Sequence, residues 1–271
     1  MIPRAYITEW RSTAPWNQDS WVEQDLVISR AIVEIFRKQE IADKLAFRGG
    51  TALYKLYLQR AARYSEDIDL VQLQQEPIGA TLDLIRMELD SWLGAPKREH
   101  KSDSVNLIYR FNPEGSPATS MRLKIEINTR EHSSKSGITR MPFSVENRWF
   151  SDQAEVSTYQ LHELLGTKLR ALYQRKKGRD LFDLWFALKN EQVNPSLIVD
   201  CFIWYMAHEA NPISRAQFEE NLHNKSKDRA FRNDISPLLR PDIEWDFDNA
   251  VEVVMNQIIS RLDGDPWKGL E

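Results

Sequence analysis

Phe47-Arg48-Gly49-Gly50-Thr51-Ala52-Leu53 and, a little further on, Arg63-Tyr64-Ser65-Glu66-Asp67-Ile68-Asp69-Leu70 decide how this chain is read. Leu45-Ala-Phe-Arg48 is short and apolar and ends in two glycines, which predicts a strand running into a tight turn. Thr51 suits the N-cap of a helix over Ala52–Gln59. Asp67-Ile-Asp-Leu-Val71 alternates polar and apolar and reads as a second strand. On a strand Asp67 and Asp69 point to the same face, with Cα atoms roughly 7 Å apart.

These residue types have chemical uses. Glycines let backbone approach a ligand closely, and exposed N–H groups where a helix begins suit a phosphate. A plain structural turn is the competing reading. Two carboxylates on one strand face can converge on divalent cations, and Mg²⁺ takes carboxylate oxygens, water and substrate phosphates. Otherwise the pair is a solvated strand edge or a helix cap. Glu126 sits mid-strand in Lys124-Ile-Glu-Ile-Asn128. A carboxylate there is costly to bury unless paired or metal-bound. It either completes a cage with Asp67 and Asp69 or lies on an open face beside Lys124.

Around this centre the periodicity predicts an α+β chain. An irregular arm over 1–20 precedes a helix from Val22 to Lys38. A helix spans Leu82 to Trp92, and strands span Val105–Phe111 and Met121–Asn128. In the last strand Met121, Leu123, Ile125 and Ile127 face one side, and Arg122, Lys124, Glu126 and Asn128 the other. Residues 131–142 read as a loop. From about 158 the pattern turns helical, over 158–176, 180–189, 196–209, 214–222 and 247–262. The chain therefore divides into 1–155, α/β with an N-terminal arm, and 156–271, helical.

The composition excludes several classes. With 36 Lys+Arg against 40 Asp+Glu in 271 residues, the net charge of −4 rules out a wholesale basic coat for nucleic acid. The single cysteine, Cys201, allows no disulfide framework and no cysteine-rich zinc site. The apolar run Cys201–Ala207 is far below the roughly 20 residues of a membrane span. The N-terminus has no cationic start followed by an apolar block, so it is no signal peptide. The expectation is a soluble cytoplasmic protein with no membrane partner. The five histidines show no metal-binding spacing, and Cys201 is expected in the core.

Glycine-glycine-threonine, then Asp-x-Asp, then a lone acid on a later strand is the layout of a nucleotidyltransferase palm. The motifs, with Glu163-Leu-Leu-Gly-Thr-Lys168-Leu-Arg-Ala171 and Arg179-Asp-Leu-Phe-Asp183, resemble the AbiEii/AbiGii-type (MenT-like) nucleotidyltransferases. Those are toxins of type IV toxin–antitoxin and abortive-infection pairs. The resemblance runs over about residues 45–190. Thr51 stands where the general nucleotidyltransferase pattern has Ser, and the gap to Asp-x-Asp is longer than in that pattern.

The resemblance implies a nucleotidyltransferase-like mixed β-sheet core with flanking helices, followed by a C-terminal helical region. It implies that Asp67, Asp69 and Glu126 hold Mg²⁺, two ions by expectation, with Mn²⁺ as a substitute. Gly49, Gly50 and Thr51 would meet the triphosphate of an NTP, and Arg63 and Ser65 would shape the nucleotide site. Lys168 would neutralise phosphate charge, and Asp183 or Asp180 would support that lysine or assist proton transfer. Read without the resemblance, Lys168 is a lysine snorkelling from a leucine stripe, and Asp180 a capping acid near the start of a helix. The basic turn Gln174–Arg179 reads as a solvated connection, with contact to an RNA backbone as the other reading. The implied activity moves an NMP from an NTP to an acceptor, by family resemblance the 3′ end of tRNA. A separately encoded winged-helix antitoxin would be its partner. The alternative is a nucleotide-binding interaction protein without turnover.

Overall fold

The computed structural model describes residues 2–58, 61–114 and 120–269. It comprises two compact units, Met1–Tyr159 and Gln160–Glu271. The first begins with α1 (Arg4–Trp10), α2 (Asp19–Phe36) and α3 (Gln39–Ala42). Next come β1 (Leu45–Arg48), α4 (Gly49–Ala52) and one π-helical turn, Leu53–Tyr57. The unit continues through β2 (Asp67–Gln72), α5 (Gly79–Leu93), β3 (Lys97–His100), β4 (Ser104–Phe111), β5 (Met121–Asn128), β6 (Ile138–Asn147) and β7 (Phe150–Tyr159). The seven strands form one mixed sheet, ordered β3-β4-β5-β2-β1-β7-β6. The β2–β5 and β1–β7 pairs are parallel and the rest antiparallel.

One face of the sheet is apolar because the strands alternate. Ile68, Leu70, Leu107, Leu123, Ile125 and Ile127 are buried. Helix α2 packs on β2, β5, β6 and β7, and α5 on β4. Each fully buried aliphatic side chain contributes about 1.5–3 kcal/mol, so this layer anchors the register. That register in turn holds the other face, with its charged residues, in a defined arrangement.

Several local readings are corrected. The arm over 1–20 contains a helix, α1, which starts after Pro3. The indole N–H groups of Trp10 and Trp16 donate to the buried Asp25 carboxylate at 2.9 and 3.2 Å. Thr51 does not cap a helix from Ala52. Arg48 is the N-cap, Thr51 lies inside α4, and the chain widens into the π-helical turn, with Leu58 N–H on Leu53 C=O. Gln59, where that helix was expected to end, lies outside the described residues. The loop expected to 142 becomes strand from Ile138. Pro142 disguises this strand, but β6 is the last strand of the sheet, where a proline removes no needed ladder bond. β7 runs to Tyr159, so helix starts at Leu161 and not at 158. β3 went unseen because Lys97-Arg-Glu-His100 has no apolar alternation.

The second unit is helical: α6 (Leu161–Gln174), α7 (Gly178–Asn190), α8 (Pro195–His208), α9 (Arg215–Ser226), α10 (Arg229–Asn233) and α11 (Phe247–Gln257). Asn194, Ser214, Asp228 and Asp246 accept backbone N–H bonds at the starts of α8 to α11, supplying the caps those ends need. The helix expected over 214–222 continues to Ser226, and that over 247–262 ends at Gln257 before a short 3₁₀ turn, Ile259–Arg261. Cys201 is buried.

Candidate active site

Strand register brings the sequence motifs together. Arg48 pairs with Asp69, Asp69 with Glu126, and Glu126 with Asn106. Directly paired residues project to the same face, so four adjacent strands present one polar row. A second row begins with Asp67, whose partner is Lys124.

The glycine turn closes over this face. Gly49 has φ +81°, a left-handed conformation, and a Cβ there would overlap Asp69 Oδ2. Only glycine allows both the turn and the close approach of Asp69. A Cβ at Gly50 would overlap the Arg63 guanidinium, and Ser65 Oγ lies 3.3 Å from the same point. Arg63 is buried and stands over the Tyr54 ring, 5.0 Å from its centroid. The Thr51 hydroxyl donates to Asp67 C=O at 2.6 Å and lies 2.8 Å from Ser65 Oγ. It therefore ties the turn to the start of β2.

The charges are tightly matched. Arg48 Nη1 is 2.5 Å from Glu131 Oε2. Burial opposes the Arg48 charge, but Glu131, Tyr159 and Asp69 outweigh it and raise its pKa above the ordinary value. Lys124 Nζ lies 3.1 Å from Asp67 Oδ2 and 3.0 Å from Glu126 Oε2. Burial opposes the charge on Glu126, yet Lys124, Lys101 and Ser104 together hold its carboxyl below the usual range. Burial likewise opposes the charge on Lys124, and Asp67 and Glu126 raise its pKa regardless.

Two acceptors are left over. Asp67 Oδ1 and Asn106 Oδ1 are buried without a hydrogen-bond partner. An orphaned carboxylate oxygen is costly, and a hard divalent cation is the species that satisfies it while also accepting oxygens from Asp69. The two aspartates thus fit Mg²⁺. Among the described residues, no group of three His, Cys, Asp or Glu side chains is gathered closely enough to hold a metal ion. Glu126 is engaged by Lys124 and by Ser104 Oγ at 3.3 Å.

The second unit holds its own buried ion cluster. Lys168 Nζ, on α6, is 2.9 Å from Asp183 Oδ2 and 3.5 Å from Asp180 Oδ1, both on α7. The Lys168 side chain is 7% exposed and both aspartates 0%, so Lys168 does not snorkel to the surface. Arg175 grips Asp180 through Nε at 2.6 Å and Nη2 at 2.7 Å. Asp180 is therefore an ion-pair partner in addition to standing in the first turn of α7.

A family model, the AbiEii nucleotidyl transferase toxin of type IV toxin–antitoxin systems, matches residues 30–253. The chain belongs to the AbiEii family. It is a nucleotidyltransferase of the toxin class. MenT4, a nucleotidyltransferase toxin from Mycobacterium tuberculosis H37Rv, shares the fold at a TM-score of 0.66 and 16% identity, with 97% of this chain and 91% of that chain covered. JHP933 from Helicobacter pylori gives a TM-score of 0.51 at 18% identity, with 89% and 92% covered. At such identities the likeness is one of fold. Comparison with curated proteins gives no match. No described helix is long and apolar enough to cross a membrane.

In this AbiEii protein the first unit gathers Gly49, Gly50, Thr51, Arg63, Ser65, Asp67, Asp69 and Glu126 around one sheet face. Lys168 and Asp183 meet each other in the second unit. The basic turn is ion-paired: Lys176 with Asp228 at 2.5 Å, Lys177 with Asp234 at 3.8 Å, and Arg179 with Asp234 at 3.6 Å. Sequence reasoning missed Asn106 and reduced Lys124 to a neighbour of Glu126. The alternation of β5 already put Lys124 on the acidic face, but only the β2–β5 register sets it against Asp67.

Proposed function

We propose that this toxin transfers a nucleoside monophosphate from an NTP to the 3′ end of tRNA and releases pyrophosphate. Asp67 and Asp69 hold Mg²⁺, with two ions as the working number. Bound there, the cations supply positive charge to the attacking and leaving oxygens. Gly49 and Gly50 bring backbone against the triphosphate, while Thr51 and Ser65 brace that turn against β2. Arg63, fixed beneath Gly50, holds the nucleotide side of the turn in shape. Glu126 keeps negative charge on the same face and orients Lys124. In the second unit Asp183 and Asp180 fix the ammonium of Lys168. The acceptor hydroxyl oxygen attacks the α-phosphorus in line, its proton passes to water, and the bond from the α-phosphorus to the pyrophosphate oxygen breaks, so that pyrophosphate leaves with the bonding electrons.

The observation that carries this reading is Asp67 Oδ1, a buried carboxylate oxygen without a partner, on the same strand face as Asp69. An acceptor RNA and NTP place the work in the cytoplasm, where a separately encoded winged-helix antitoxin would restrain it. The test is incubation of the protein with each labelled NTP, Mg²⁺ and total tRNA. Label should enter the RNA with wild type and not with Asp67→Asn. Pyrophosphate released while an α-phosphate label stays out of RNA would move the acceptor elsewhere, and no Asp67-dependent turnover with any NTP would end the reading.

A further inference from the structure

Of the cations around this face, Lys124 is the one whose ammonium lies against both Asp67 and Glu126. Lys124 stands opposite Asp67 in the parallel β2–β5 ladder and two residues before Glu126 on the same strand. Its ammonium lies 3.1 Å from Asp67 Oδ2 and 3.0 Å from Glu126 Oε2, and the side chain is 20% exposed. Those two oxygens belong to the acids that the family resemblance sets around a divalent cation. The ammonium therefore occupies the charge position between them.

We infer that Lys124 is the internal counter-cation of this acidic face and opposes the entry of a hard divalent cation at Asp67. The inference rests on the proposed role of Asp67 as a metal ligand. Two carboxylates facing one another repel, and a positive charge between them relieves the repulsion. With the ammonium on Asp67 Oδ2 and a divalent cation on the free Oδ1, two positive charges share one carboxylate, and like charges at such distances repel strongly. Lysine suits an exchangeable part: it is a compact point charge on a flexible stem. An arginine fork would hold the carboxylates in a fixed bidentate grip. Other groups reaching this cluster do not replace it. Lys101 Nζ stays 4.0 Å from Glu126 Oε2, and Arg122 pairs with Glu66 at 3.8 Å. Lys124 thus keeps the acids neutralised before metal and nucleotide arrive, and it sets how readily metal enters.

The test uses the full chain and Mn²⁺ as the probe, with free hydrated Mn²⁺ followed by electron paramagnetic resonance in the absence of nucleotide. Lys124→Met, which keeps stem length and drops the charge, should bind Mn²⁺ several-fold to tenfold more tightly than wild type. Its melting temperature should fall without metal and rise more than that of wild type on adding Mn²⁺. Mn²⁺ affinity that is unchanged or weaker in Lys124→Met overturns the inference. If Lys124→Met does not fold by far-ultraviolet circular dichroism, Lys124→Gln carries the same expectation and the same overturning result. Asp67→Asn separates the two levels: if it leaves Mn²⁺ affinity intact, the metal reading of Asp67 fails. If Asp67→Asn weakens binding and Lys124→Met changes nothing, only the opposition by Lys124 fails.

Discussion

The ammonium of Lys168 lies 2.9 Å from Asp183 Oδ2, across two helices that close both side chains off from solvent. Removing one partner of a buried pair leaves the other charge uncompensated, at about 3–5 kcal/mol. Lys168→Ala should lose stability on that scale in urea unfolding. Lys168→Ala combined with Asp183→Ala should lose less than the two singles added together, because no stranded charge remains at that contact. Additive losses would show that the pair is not coupled. The same variants, assayed under conditions where they stay folded, read the role in catalysis. A fall in kcat with KM unchanged is the expected result for Lys168→Ala.

Asp67→Asn preserves shape and removes the charge. Loss of one electrostatic group of this kind costs about 10²–10³-fold in turnover. The melting temperature should fall only modestly, because Asp67 Oδ1 has no internal hydrogen bond to lose and the change gives up only the part-exposed ion pair of Oδ2 with Lys124 at 3.1 Å. A thermal melt beside a turnover assay checks both halves. Turnover within a few-fold of wild type would remove Asp67 from the chemistry.

Gly49 and Gly94 make a matched pair of probes. Both have positive φ, +81° and +76°, so Gly→Ala at either carries backbone strain of about 1–3 kcal/mol. A Cβ at Gly94 meets nothing within 4 Å, whereas at Gly49 it overlaps Asp69. Both substitutions should lower stability in urea unfolding, but only Gly49→Ala should abolish nucleotidyl transfer. Equal activity in the two variants would separate Asp69 from the reaction.

Lys225 gives a pH prediction in the second unit. Its ammonium donates to the carbonyls of Leu172 and Tyr173 at 2.5 Å each, at the end of α6. Burial lowers its pKa from 10.5 to about 8, with Asp180 opposing and Lys176 adding to the shift. Between those values the unfolded chain binds more protons than the folded one, so stability rises with pH across that window. Below about 8 the burial penalty is present in full. Lys225→Met should flatten this rise relative to wild type, measured as the difference in urea unfolding free energy from pH 8 to 10.5. A slope identical in both proteins would place the titration elsewhere.

The polar faces were legible from local pattern. Asp67 with Asp69, and Lys124 with Glu126, follow from a period of two, and Gly49-Gly50 announces a turn that no other residue pair would make so readily. The pairing of Lys168 with Asp183 was legible only through resemblance. Read locally, Lys168 sits at the edge of a leucine stripe, and such a lysine reaches for water unless a neighbouring helix supplies an acid. The hairpin of β6 and β7 was half hidden because Pro142 is a breaker everywhere except on an edge.

By itself the sequence determined which side chains share a strand face, where the chain turns tightly, and the motif order that marks the AbiEii family. Tertiary structure alone decided that Arg48, Asp69, Glu126 and Asn106 form one row and that Lys124 stands against Asp67. The physical reason is register. The ladder between β2 and β5 joins segments more than fifty residues apart, and nothing in either strand's own alternation says which residue opposes which. Burial of Ile68, Leu70, Ile125 and Ile127 beneath α2 selects the pairing, because a slip of one residue would turn those side chains to the polar face.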